Sequence, residues 1–254
     1  MIEAVLARIA AASATDAPWL LPYREMALRV AAQLAPGASL AQALNAVLVQ
    51  MPAIALDAGA LRFEAPVALS DGEPYELHVA RTARVPTRDD SHDLFNALVW
   101  LVHPALKAHM NRLHAAELAR GGVGATRGTL RDALTVFDEN GALLHAPAPL
   151  ALALRERDWA LLFGALRPLW SQARLQLVGH ALLEKLLRPR KEITAHVWLV
   201  DPDDPGPLPA GFTSPRIASK PFVPLPVLGV PGWWPANEAP GFYADAQVFR
   251  AAHR

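Results

Sequence analysis

The chain contains no cysteine among its 254 residues. This absence excludes disulfides, thiolate nucleophiles and thiolate zinc sites, so imidazole and carboxylate groups are the strong metal ligands that remain. An excess of charge is also missing, because 24 Lys and Arg residues balance 24 Asp and Glu residues. A chain without net charge does not favour binding to nucleic acid or to anionic lipid. We therefore expect neither kind of partner.

Long hydrophobic runs are missing as well, although hydrophobic residues make up 52% of the chain. No stretch approaches the roughly 18 apolar residues that a membrane-spanning helix requires. The N-terminal segment MIEAVLARIAAASA carries Glu3 and Arg8 where a signal peptide would be apolar. We expect a cytoplasmic protein with a sizeable core and no membrane contact.

The hydrophobic pattern predicts a mainly helical α+β fold. Residues 1–50 have helical spacing interrupted by prolines, with Ser39 as an N-cap. Residues 61–200 form the predicted core, in which residues 90–102 and 104–120 are helical and follow one another directly. Short extended pieces lie around the turn signal Ser70-Asp71-Gly72, and the run GGVGATRG is expected to be a loop.

Further sheet and helix are expected in the second half of the chain. Within ALTVFDENGALLHA, the pair Asn140-Gly141 predicts a hairpin with a type I′ turn. Helices are expected between residues 150 and 187, and KEITAHVWLV alternates as a strand does. His196 lies on one face of that strand beside Trp198, where it is interpreted as a core histidine. The expected fold is a helical core with one or two small antiparallel sheets.

Residues 201–254 are rich in proline yet retain large aromatic side chains. Eleven prolines fall between Asp201 and Pro240, together with Phe212, Phe222, Trp233 and Trp234. Disordered tails are usually poor in aromatic residues. The segment is therefore predicted to be an ordered strap that packs on the core of one domain covering residues 1–254.

A stripe of polar side chains runs along the helix predicted at residues 90–102. At about 100° per residue it comprises Asp89, His92, Asp93, Asn96, Trp100 and His103. The stripe contains neither Lys nor Glu, which usually cover a face in contact with water. It is either a buried structural network or the wall of a pocket, and an ordinary water-facing arc is the third interpretation.

A second stripe recurs every four residues further along the chain. It comprises Gln172, Gln176, His180, Glu184 and Arg188. His180 and Glu184 project from one face, a spacing that can bind one metal ion or let the carboxylate orient the imidazole. Pairs of this kind are more often simple surface contacts.

The two stripes together suggest a site if they face one another. The candidate catalytic residues are His92, Asp93, Asn96, His180 and Glu184. The candidate ligands of a divalent metal are Asp89, His92, His180 and Glu184, although a metal-free general base is equally consistent with the pattern. The candidate substrate-binding residues are Arg88, Trp100 and Arg131.

Two classes of function fit this pattern. The first is a hydrolase-like enzyme acting on a small polar or anionic substrate. The second is a non-catalytic binding or scaffold protein, in which the same His, Asp and Asn side chains form a buried network. A protein partner or homo-oligomer is left open.

Several phrases of the sequence carry a family resemblance. They are TRDDSHDLFNALVWL, RDALTVFDENG, GHALLEKLLRPRKEITAHV and LPVLGVPGWWPANEAPGFYADAQVFR. With these phrases the chain resembles, from about Leu61 to Arg250, a family of bacterial proteins known only as a domain of unknown function. The resemblance implies no activity, cofactor or catalytic residue, and it implies that the proline-rich strap belongs to the domain.

Overall fold

The structure is a computed structural model that describes residues 1–66, 73–121, 128–239 and 241–252. The predicted turn at Ser70-Asp71-Gly72 lies outside the described residues, as does most of the predicted loop GGVGATRG. The chain forms two compact units. Unit 1 comprises Met1–Ala11, Tyr23–Thr135 and Phe212–Ser219, and unit 2 comprises Ala12–Pro22, Val136–Gly211 and Lys220–Arg254.

The described α-helices and strands are numbered in chain order. The helices are α1 (Ile2–Ala10), α2 (Arg24–Gln33), α3 (Leu40–Leu48), α4 (Tyr75–Thr82), α5 (Ser91–Val102), α6 (Pro104–Gly121), α7 (Thr129–Asn140), α8 (Ala148–Glu156), α9 (His180–Lys185) and α10 (Ser214–Ala218). The strands are β1 (Ala55–Leu56), β2 (Gly59–Ala60), β3 (Arg62–Glu64), β4 (Arg84–Pro86), β5 (Gly141–His145), β6 (Arg174–Leu177), β7 (Thr194–Val200) and β8 (Val223–Pro226).

Unit 1 is mainly helical, and α5 packs against α1, α2 and α6. The Asp90 carboxylate accepts a hydrogen bond of 2.8 Å from the Asp93 N–H, which caps the start of α5. Pro104 then begins α6, where its missing N–H costs nothing. The consecutive helices predicted from the sequence are thus confirmed, and so is the Ser39 cap of α3.

Unit 2 is built on a four-stranded sheet in the order β6-β5-β7-β8. The pair β5 and β7 is parallel, whereas β5 with β6 and β7 with β8 are antiparallel. The strand predicted in KEITAHVWLV is confirmed as β7. Unit 1 adds two-stranded sheets, β1 with β2 antiparallel and β3 with β4 parallel. The mainly helical α+β class is confirmed, although two of these pairings are parallel where antiparallel sheets were expected.

The predicted hairpin at Asn140-Gly141 is wrong, because Asn140 is the last residue of α7. The segment before it buries Leu130, Leu134 and Phe137. Their spacing of four and three residues places them on one helical face. This long helical period outweighs the local Asn-Gly turn preference, and β5 takes its partners from β6 and β7 instead.

The prediction that one helix carries the second polar stripe is also wrong. Gln176 lies in β6, opposite Leu143 of β5. His180 begins α9, which ends before Arg188. The stretch ARLQLV alternates as a strand, and Gly179 separates it from α9, so the four-residue repeat spans two kinds of structure.

The aromatic residues of the proline-rich segment pack against other rings. Phe212 is buried in unit 1, 6.1 Å from the His109 ring. In unit 2, Phe222 stacks on Phe137 at 5.2 Å, while the Trp233 and Trp234 rings lie 6.1 Å from those of Trp19 and Phe242. These contacts support the prediction that the segment is ordered. The single-domain boundary remains a prediction.

In the part of the chain that the structure describes, no helix combines the length and the apolar character needed to cross a membrane.

Candidate functional site

The polar stripe on α5 lies mostly inside the protein. Asp93, Asn96 and Trp100 are buried, with exposed fractions of 9%, 8% and 3%, and His92 is half-buried. A water-facing arc would be open, so that interpretation is wrong for these three residues. Each buried polar group then needs a partner, because leaving one unsatisfied costs about 1–3 kcal/mol.

Asp93 finds its partner in Arg88. Its carboxylate accepts hydrogen bonds from the Arg88 backbone N–H at 2.6 Å and from the guanidinium at 2.9 and 3.0 Å. Burial alone would raise the pKa of the Asp93 carboxyl, but the hydrogen bonds from Arg88 outweigh burial and hold that pKa below its ordinary value. The pair fixes the chain that leads into α5.

Asn96 and Asp89 also make defined contacts within unit 1. The Asn96 side chain donates to the Tyr75 hydroxyl at 3.1 Å and accepts from the Lys107 ammonium at 2.9 Å. Asp89 accepts a hydrogen bond of 2.7 Å from the Leu40 N–H at the start of α3. These side chains join α3, α4, α5 and α6, so they hold the helices in register.

The candidate substrate-binding residues lie in different surroundings. The Arg88 guanidinium is committed to Asp93, and the buried Trp100 ring has the Lys107 nitrogen 5.4 Å from its centre. Arg131 differs, because its Nε is buried and meets no hydrogen-bond acceptor in the described ranges. Their role in substrate binding remains a prediction.

The position of His180 is fixed where the backbone at Gly179 closely approaches the backbone at Gly141 in unit 2. The N–H groups of Val178 and Gly179 both donate to the carbonyl of Gly141, at 3.0 and 2.8 Å. A Cβ on Gly179 would lie 2.5 Å from the Gly141 nitrogen, so a side chain there cannot be accommodated without movement. This approach brings the first residue of α9 onto the last turn of α7.

As a result, His180 lies between two consecutive carboxylates of α7. Its Nδ1 is 3.6 Å from Asp138 Oδ2, and its Nε2 is 3.6 Å from Glu139 Oε1. The His180 side chain is 6% exposed. We call these three residues the His180 centre. Glu184 is half-buried one turn further along α9, and its predicted part in the site remains a prediction.

The spacing in the His180 centre suits metal binding. Two ligand atoms that each lie about 2.1 Å from a tetrahedral Zn²⁺ are about 3.4 Å apart. The 3.6 Å between His180 Nε2 and Glu139 Oε1 is close to that value and exceeds the usual length of a hydrogen bond. A carboxylate beside the other ring nitrogen is the usual companion of a metal-binding histidine. Asp138 is the carboxylate nearest to that nitrogen, at 3.6 Å, which is also longer than a hydrogen bond.

Unit 1 contains a second histidine between two carboxylates. His78 Nε2 lies 3.0 Å from Glu64 Oε1, and its Nδ1 lies 3.4 Å from Glu73 Oε2. Arg81 pairs with Glu73 at 3.0 Å, and Arg84 pairs with Glu64 at 3.4 Å. We call His78, Glu64 and Glu73 the His78 centre. Its carboxylates are already neutralised by arginine.

The sequence pattern identified His180 but missed Asp138 and Glu139. Both were assigned to a strand of the predicted hairpin, where alternate residues point to opposite faces. The signal that could have found them is the helical period of Leu130, Leu134 and Phe137, which extends α7 to Asn140. The prediction that His92 shares a site with His180 rests on the sequence alone and remains a prediction.

Comparison with known protein families shows which family the chain belongs to. A family model described as "Protein of unknown function (DUF3025)" matches residues 61–207 and 211–253. The chain belongs to this family. The matched ranges contain the His180 centre, the His78 centre and nearly all of the proline-rich segment, so all three belong to the family's domain. No detectable match exists among curated proteins or solved structures.

Proposed function

We propose that the chain is a hydrolase-like enzyme in which the His180 centre holds a divalent metal ion. The observation that carries this proposal is the spacing of 3.6 Å between His180 Nε2 and Glu139 Oε1. Asp138 lies 3.6 Å from Nδ1, where its negative charge would favour coordination of the ion through Nε2. The buried position of the ring would keep competing water away from the ligands.

A bound divalent ion would supply a water molecule of lowered pKa as the nucleophile. His180 and Glu139 would hold the ion, and Glu184 on α9 is the candidate for a further ligand from the sequence pattern. The polar groups of Asp93 and Asn96, which were also predicted as catalytic, are engaged by Arg88 and Lys107. In this proposal they fix α5 within unit 1.

The proposed substrate is small and polar or anionic, and the proposed location is the cytoplasm. The absence of cysteine fits a protein that does not depend on disulfides. Arg131 is the candidate for holding an anionic group, since its buried Nε meets no acceptor among the residues described.

The second candidate function is a non-catalytic binding or scaffold protein. It is favoured by the fully engaged contacts of Asp93 and Asn96 and by the His78 centre, which resembles the His180 centre and is neutralised by arginine. In this function the His180 centre would also be a structural network that joins α7 and α9.

Metal analysis tests the choice between these functions. The whole chain is equilibrated with Zn²⁺ or Mn²⁺, dialysed and analysed for bound metal, alongside the variants His180→Ala and Glu139→Gln. The proposal expects stoichiometric metal in the wild type and its loss from both variants. His78→Ala is the matched control and should retain the metal.

An activity screen then tests the hydrolase part. Metal-loaded wild type is assayed on a panel of ester, amide and phosphate substrates, with His180→Ala as the negative control. Wild-type protein that binds no metal and turns over no substrate would instead support the structural network.

A further inference from the structure

Unit 2 contains an open cleft against the face of β7 and β8, separate from the residues of the His180 centre. Its volume is about 520 Å³, within the range of roughly 300–1,000 Å³ that small-molecule sites occupy. We call it the sheet cleft. Its lining includes Arg157, Trp159, Thr194, His196 and Phe222, together with the two prolines of β8.

The register of the two strands builds one wall of the sheet cleft. Thr194 lies opposite Pro226, and His196 lies opposite Pro224. Directly opposite residues of an antiparallel pair point to the same face, so these four side chains form one continuous surface. The Phe222 ring lies 6.3 Å from the His196 ring at a steep angle and extends the surface with an aromatic group.

The charged side chains of the sheet cleft differ in whether they have hydrogen-bond or ion-pair partners. Glu192 lies 3.5 Å from Arg190, and the Arg250 Nε donates to the Gln247 carbonyl. By contrast, within the described part of the chain, neither the half-buried Arg157 guanidinium nor the His196 ring has a hydrogen-bond or ion-pair partner. A half-buried guanidinium without a counter-ion favours an anion beside it.

Arg157 is also held in an unusual backbone conformation. It follows the last residue of α8 with φ of 53°, a region that glycine and asparagine adopt most readily. The positive φ makes the folded backbone less stable with arginine here than with glycine. The Arg157 side chain lines the sheet cleft.

A protein strand is a poor occupant of this cleft. Adding a strand to the β8 edge would require free backbone N–H groups, and Pro224 and Pro226 have none. The volume and the mixed aromatic and cationic lining fit a small molecule instead.

We propose that the sheet cleft binds a small organic anion that carries a flat apolar ring. Its carboxylate or phosphate pairs with Arg157, and its ring lies among Phe222, Trp159 and the two prolines of β8. His196 lines the cleft and is placed to form a further hydrogen bond. Burial and the nearby Lys185 hold the pKa of its ring below the ordinary value.

Fluorine NMR titration of the whole chain tests this proposal with three probes. They are 4-fluorobenzoate, 4-fluorophenyl phosphate and the uncharged 4-fluorobenzamide. At least one anion is expected to bind about tenfold more tightly than the amide, because one charge-assisted contact is gained. The two anions distinguish a carboxylate from a phosphate site. Equal binding of all three probes, or binding of none, would overturn the proposal.

Variants identify the residue that carries the binding. Arg157→Gln should weaken anion binding by about tenfold and leave the amide unchanged. Arg155→Gln is the matched control, since Arg155 is exposed on the same helix and is not part of the lining. Arg157→Gly keeps the test valid if the glutamine variant folds poorly, because glycine suits the positive φ. Unchanged anion binding in both Arg157 variants would refute the assignment.

Discussion

The His78 centre and the His180 centre place the same three groups in nearly the same order, yet their surroundings differ. Both have a buried imidazole with one carboxylate near each ring nitrogen. In the His78 centre the contacts are 3.0 and 3.4 Å, and Arg81 and Arg84 also neutralise the acids. In the His180 centre both contacts are 3.6 Å.

Under the proposed function, this difference decides which histidine would bind a cation. No Lys or Arg among the described residues pairs with Glu139, whose ion-pair partner is the imidazole. The carboxylates of the His78 centre gain little from a metal ion, because guanidinium groups already provide their positive charge. The proposal therefore assigns the metal to the His180 centre on the charge around the acids and not on the presence of a histidine between them.

Gly179→Ala should produce the largest change in stability. The added Cβ would lie 2.5 Å from the Gly141 nitrogen, so two backbone turns would have to separate. We expect the free energy of unfolding to fall by about 3 kcal/mol, measured by urea denaturation. Metal binding by the His180 centre should weaken in the same variant.

A matched control is available at Gly164, where an added Cβ would meet no atom within 4 Å. Gly164→Ala should leave the free energy of unfolding unchanged or raise it slightly. An equal loss in both alanine variants would contradict the account of the Gly179 contact.

His78→Ala should have the next largest effect. It removes a buried imidazole from hydrogen-bonding range of two carboxylates, which should cost about 1–3 kcal/mol in the free energy of unfolding. Added Zn²⁺ should still raise the melting temperature of this variant, as it should for the wild type. His180→Ala should lose that metal-dependent rise. A loss of the rise in both variants would remove the distinction between the two centres.

The pH dependence of stability sharpens the account of the His78 centre. Burial opposes ionisation of Glu73, but hydrogen bonds from Arg81 and His78 prevail and lower its pKa in the folded protein. The contribution of Glu73 is therefore complete above its unfolded pKa of about 4.3 and is lost as the pH falls through the lowered folded value. Glu73→Gln should thus lose less stability than the wild type between about pH 5 and pH 3. Parallel curves from chemical denaturation would show that Glu73 is not held in this way.

Arg157→Gly should give the smallest change in the free energy of unfolding, and this change should be an increase. Glycine relieves the positive φ of 53° at the end of α8. The free energy of unfolding should rise by about 0.5–1 kcal/mol, while anion binding in the sheet cleft falls. A variant that loses stability would indicate that the guanidinium supports the fold rather than a ligand.

Local sequence patterns predicted the helices of unit 1 well. Asp90 and Pro104 mark the start of α5 and of α6, because capping and the missing proline N–H act within a few residues. The pair Asn140-Gly141 led to a wrong hairpin prediction, because its turn preference competes with the apolar face that continues α7 through Phe137. A local preference gives way when a longer segment buries a whole face.

The candidate sites depended on contacts between distant segments, and a sequence pattern does not contain these. His180 was identified through its spacing from Glu184, whereas Asp138 and Glu139 reach it through the close approach of Gly179 and Gly141. The sheet cleft was missed for the same reason. His196 was interpreted as a core residue, because its neighbours across the strand pairing with β8 were unknown.

A crystal structure of the whole chain with Zn²⁺, with anomalous scattering used to locate the metal, tests the central claim most directly. The account predicts an anomalous peak about 2.1 Å from both His180 Nε2 and the Glu139 carboxylate. No peak should appear at His78, whose carboxylates are paired with arginine. Zinc at His78, or zinc bound elsewhere with the His180 centre left empty, would contradict it.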